Sequence, residues 1–99
     1  MKALTDAEKN NLFRAFLELR TPEECEAFLE DLCSVAEIKS LIQRFEVAQM
    51  LDDERVYTDI VERTGASSAT ISRVSRALTN GKNGYRIALD RIKGKKGRG

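Results

Sequence analysis

Apolar residues along this chain recur at helical spacing, and every strong periodicity it carries is that of a helix. Leu12, Phe13, Phe16 and Leu17 share one face of a first segment that opens at Thr5. Cys25, Phe28, Leu29 and Leu32 do the same after Thr21. Val35, Ile38, Leu41, Ile42, Phe45, Ala48 and Leu51 make a longer stripe after Ser34. Each stripe is preceded by the residues of a capping box: Thr5 with Glu8, Thr21 with Glu24, Ser34 with Glu37. In such a box the hydroxyl accepts from the backbone N–H three residues on, and the carboxylate reaches back. Pro22 suits a first helical position, where its missing N–H would have no partner. Three boxes in succession set three helix starts. Asp52-Asp53-Glu54-Arg55 is a polar break. Helices are then expected from Tyr57 to Thr64, ended by Gly65, from about Ser67 to Leu78, and from about Tyr85 to Ile92. Asn80-Gly81-Lys82-Asn83-Gly84 reads as a turn between the last two. Lys93 to Gly99 holds no apolar residue and is expected to be a disordered basic tail. With no internal repeat and no strand signal, the pattern predicts an all-α, six-helix array: one domain over 1–92, followed by the tail.

Composition narrows the function. The chain has 99 residues, 41% hydrophobic and 33% charged, which suits a compact, highly charged helical domain and makes dimerisation a reasonable expectation. No apolar run approaches the roughly 20 residues of a membrane span. The N-terminus lacks the apolar core of a signal peptide. A cytoplasmic protein without membrane contact is expected. The chain has no His, which removes His-based catalysis and most zinc sites. There is no nucleophile–base pairing and no phosphate loop, so no enzyme activity and no small-molecule substrate is expected. Cys25 and Cys33 would lie about 12 Å apart along a helix, too far for a disulfide. They read as two small core side chains in a reducing compartment. Asp52, Asp53 and Glu54 are contiguous, without the alternating spacing of a calcium loop, so they read as a solvated turn and not as a metal site.

The net charge of +1 conceals a division. Residues 1–54 carry 6 basic and 13 acidic side chains, a balance of −7; residues 55–99 carry 11 and 3, a balance of +8. Such asymmetry points to an anionic partner for the second half. That half also holds the most informative stretch, Asp59 to Leu78, which reads as a helix-turn-helix. Ile60 and Val61 supply the apolar face of its first helix. Gly65 supplies the turn residue tolerant of positive φ. Ser67 or Ser68 can cap the second helix. Ile71, Val74 and Leu78 form its buried stripe. Ser68, Ala69, Ser72, Arg73, Ser75 and Arg76 remain outward, with Thr70 flanking, and no acidic residue falls between Gly65 and Leu78. Small hydroxyl side chains let a helix sink into a major groove, and arginines suit phosphates and guanine edges.

Gly65-Ala66-Ser67-Ser68-Ala69-Thr70-Ile71-Ser72-Arg73 resembles the recognition segment of the Trp repressor family, and more closely that of its small YerC/YecD-type members. The resemblance extends upstream through Glu37-Ile38-Lys39-Ser40-Leu41 and Arg44-Phe45-Glu46-Val47-Ala48, covering about residues 20–92. It implies an intertwined homodimer that binds double-stranded DNA and regulates transcription, most simply as a repressor. It places Ser67, Ser68, Ala69, Thr70 and Ser72 where the family's recognition helix approaches bases. It places Thr58 where the repressor has a base-contacting arginine, with Arg73 and Arg76 on the same surface. In the repressor two arginines sandwich the indole of bound tryptophan. Arg44 and Arg73 stand at the matching places, and can equally be surface charges. The glycine that leaves room for the ring is replaced by Val74, so tryptophan is not expected as a corepressor and no cofactor is anticipated. The alternative is a helical protein-interaction module whose basic half binds an acidic protein.

Overall fold

A computed structural model describes residues 2–97, with side chains through residue 94. Six α-helices follow one another: α1 (Asp6–Glu18), α2 (Pro22–Leu32), α3 (Val35–Asp52), α4 (Tyr57–Thr64), α5 (Ser68–Asn80) and α6 (Gly84–Gly97). There is no strand among the described residues. The chain comprises two compact units, residues 1–38 and 39–99, divided within α3.

In the first unit the caps fix the helix starts. The Thr5 hydroxyl accepts from the Glu8 N–H at 3.1 Å, and the Glu8 carboxylate accepts from the Thr5 N–H at 3.0 Å. The same pair joins Ser34 and Glu37, at 3.2 and 2.7 Å. The middle box is only half as expected. Thr21 caps Glu24 at 3.1 Å, but the Glu24 carboxylate accepts from the N–H of Arg20, one residue before the cap. Phe16 of α1 meets Phe28 of α2 edge-to-face, with centroids 5.3 Å apart. Neither helix buries a residue, because two helices alone enclose no interior. The expectation that the cysteines are core side chains therefore fails: Cys25 is exposed and Cys33 half-buried, both as free thiols.

The second unit has a core. Val47 and Ala48 of α3, Ile60 of α4, Ala66 of the turn that follows, Ile71 and Val74 of α5, and Leu89 of α6 are all at most 2% exposed. Phe45 and Tyr85 stack beside it, 6.4 Å apart. After α3 the chain turns tightly, with Glu54 in the left-handed region at φ 60° and the Arg55 N–H donating to the Met50 carbonyl. Asp52 does not lie in a solvated turn as expected. Its side chain is 12% exposed; Arg86 Nη2 donates to Oδ1 at 2.8 Å, and Lys93 Nζ contacts Oδ2. Those two cations lie seven residues apart, on one face of α6. The tail expected to be disordered is instead helical through Gly97, and Lys93 at its start is tied to Asp52; Arg98 and Gly99 fall outside the described residues. No described helix is long and apolar enough to cross a membrane.

Candidate nucleic-acid interface

The helix-turn-helix is assembled from the turn outward. Gly65 closes α4 at φ +69°, and its N–H donates to the Val61 carbonyl at 2.8 Å. A Cβ at Gly65 would meet nothing within 4 Å, so glycine is required by torsion and not by crowding. Ala66, which the sequence pattern did not single out, is buried beneath the turn. Thr64 locks the geometry. Its hydroxyl donates to the Ile60 carbonyl at 2.7 Å and accepts from the Ala66 N–H at 3.1 Å. Its carbonyl accepts from Gln43 Nε2 at 3.0 Å, which ties the turn to α3.

Ser67, not Ser68, caps α5. Its hydroxyl accepts from the Thr70 N–H and donates to Thr70 Oγ1, each at 3.1 Å. The buried stripe holds at Ile71 and Val74 and weakens at Leu78, which is half-buried. On α4 only Ile60 faces inward; Val61, expected beside it, is 46% exposed. The reason is geometric: adjacent helical positions diverge by about 100°.

The exposed surface of this motif carries Thr58, Ser67, Ser68, Ala69, Ser72, Arg73 and Arg76, while Thr70 and Ser75 are half-buried. The Thr70 and Ser67 hydroxyls are engaged with each other, which leaves Ser68 and Ser72 as the open hydroxyls on the helix. Neither Arg73 nor Arg76 makes an ion pair among the described residues, whereas Arg55 pairs with Asp59 at 3.7 Å and Arg86 with both Asp52 and Asp90. No acidic residue occurs between Glu62 and Asp90. Arginines without carboxylate partners on a rigid helix are available to an external anion.

Val74 is 1% exposed and belongs to the core, Arg44 is half-buried and Arg73 exposed. A cleft of α3 and α4 is lined by Lys39, Ile42, Gln43, Glu46, Arg63 and Thr64. The α3 side chain that touches the turn is Gln43, one position before the Arg44 singled out from sequence. No group of three Cys, Asp or Glu positioned to hold a metal occurs among the described residues.

A glycine-closed turn, a serine-capped second helix and unpaired arginines along its exposed face define a helix-turn-helix of the DNA-binding kind. Residues 7–93 match the family described as Trp repressor protein, so the chain belongs to the Trp repressor family of DNA-binding regulators, and the match reaches into α1 beyond the stretch legible by eye. The uncharacterised protein YerC of Bacillus subtilis (strain 168) is 50% identical over 90 residues, 91% of this chain and 86% of YerC. A candidate Trp repressor from Staphylococcus aureus superposes with a TM-score of 0.86 at 46% identity, covering 90% of this chain and 89% of that one. A TrpR-like protein from Eubacterium eligens ATCC 27750 gives 0.84 at 50% identity, covering 90% and 91%.

Proposed function

We propose that this protein is a cytoplasmic homodimer that represses transcription by occupying a near-palindromic DNA site. Two copies of α5 enter successive major grooves, roughly 34 Å apart as in helix-turn-helix dimers generally. Ser68, Ala69 and Ser72 face base edges, with Thr58, Ser67 and Thr70 at the margin. Arg73 and Arg76 engage phosphates or guanine. The observation that carries this reading is the exposed face of α5, where both arginines lack carboxylate partners while the turn beneath is fixed by Thr64, Gly65 and Ser67. No corepressor is needed in this scheme. The Val74 side chain occupies core volume where the repressor's glycine leaves space for an indole.

Selection of bound sequences from random duplex DNA with the purified protein tests it. The expected result is an enriched palindrome, with affinity that falls steeply as salt rises because each neutralised phosphate releases counterions. Failure to enrich any sequence, with salt-sensitive binding only to an acidic protein, overturns the proposal in favour of an interaction module.

A further inference from the structure

The reading face of α5 is unusual in what it omits. From Ser67 to Leu78 there is no Asn, Gln, Asp or Glu. Amides that grip adenine and carboxylates that accept from cytosine are thus absent, leaving arginine for guanine, hydroxyls that suit more than one base, and apolar contact for the thymine methyl. An apolar cleft opens beside that face, between α4 and the start of α5, lined by Tyr57, Thr58, Val61, Glu62, Ser68 and Ile71. Tyr57 is 48% and Val61 46% exposed there, although a soluble helix ordinarily turns such side chains inward. The cleft is open, whereas sites for small molecules enclose most of their ligand. Two of its lining residues, Thr58 and Ser68, already belong to the proposed DNA surface, and the unpaired arginines of α5 supply the positive charge that flanking phosphates require.

We infer that this cleft receives the methyl edge of a thymine in each half-site, so that Val61 and Tyr57 of the first helix, and not α5 alone, help set the sequence preference. The inference rests on the DNA-binding reading above and specifies the base chemistry it uses. The cleft holds no amide or cationic donor to a base oxygen, only the hydroxyls of Tyr57, Thr58 and Ser68, so discrimination there comes from burial of the 5-methyl group.

Replacing the thymines of the selected duplex by deoxyuridine, one at a time, deletes that methyl and nothing else. At one thymine per half-site the affinity should fall about fourfold, the value of one buried methyl. The Val61→Ser variant, whose exposed site tolerates the change, should bind the thymine duplex more weakly and no longer distinguish it from the deoxyuridine duplex. If every deoxyuridine duplex binds the unaltered protein as tightly as its thymine parent, the inference is overturned while the DNA-binding reading stands. If Val61→Ser instead alters the oligomeric state and leaves the methyl effect intact, the cleft belongs to a protein contact and the inference is again overturned. If no duplex is enriched at all, both readings fall together.

Discussion

At the residue scale the firmest electrostatic feature is Asp52, held by Lys93 and Arg86 from α6. The hydrogen bond from Lys93, followed by that from Arg86, keeps its carboxyl below the usual aspartate range. A carboxyl depressed in the folded state binds fewer protons there than in the unfolded chain. Its contribution is therefore complete above the unfolded value near about 4, and is lost as pH falls through the depressed value. Asp52→Asn should cost about 1–3 kcal/mol at neutral pH and make denaturant midpoints less sensitive to acid below about pH 4. An unchanged acid limb would show that the contact contributes nothing. Sequence could not disclose this contact. Asp52 appears there as one of three adjacent acids, and its partner Arg86 lies 34 residues away. Gly65 was legible, because a helix stop before a capping serine needs a left-handed residue. Gly65→Ala should lower stability by about 1–2 kcal/mol, and Gly65→Asn by less, since Asn tolerates that region. Comparable melting of the alanine variant and the parent would contradict the torsional argument. Val74 carries the ligand question. With its side chain in a packed core, titration with millimolar tryptophan should give no saturable heat and no tighter DNA binding.

At the scale of elements, local chemistry was legible and packing was not. The helix starts at Thr5, Ser34 and Ser67 follow from hydroxyls three residues before an N–H that needs a partner. The length of α6 does not, because glycine- and lysine-rich sequence opposes a helix, and the tie from Lys93 to Asp52 of α3 is not legible in it. Periodicity likewise assigned Val61 to the core and Ser75 to the outside. It reports which residues share a face, but not how wide a face the neighbouring helix covers. The helix α5 itself emerged nearly whole, since its cap at Ser67 and its buried Ile71 and Val74 are set by residues contiguous in sequence. Ser72→Ala should shift preference at particular base pairs by about 1–3 kcal/mol. Arg76→Ala should weaken binding to all sequences and reduce the salt slope by about one unit. Affinity measured against a panel of single-base variants at two salt concentrations separates the two effects. A uniform loss from Ser72→Ala would remove that residue from base reading.

At the scale of the whole molecule, the arrangement of charge and apolar surface bears on assembly. Residues 1–38 carry 4 basic and 9 acidic side chains and would be repelled by phosphate, whereas residues 39–99 carry 13 and 7. In the proposed complex, contact with DNA therefore falls to the second unit, which leaves the first for another role. That unit leaves Leu12, Phe13, Phe16, Leu17, Leu32 and Val35 between 38% and 81% exposed. Apolar side chains left this exposed mark a surface that a partner covers. A second copy covering α1 and α2 would supply the third layer these helices lack. Light scattering at micromolar concentration should therefore report about twice 11.1 kDa. Thermal midpoints should rise with protein concentration, as they do when folding and association are linked. Phe13→Asp, on the exposed stripe of α1, should lower that midpoint and abolish its concentration dependence, with DNA affinity falling in parallel because one half-site is lost. A monomer whose melting ignores concentration, yet which still prefers a palindrome, would show that the apolar stripe serves some partner other than a second copy.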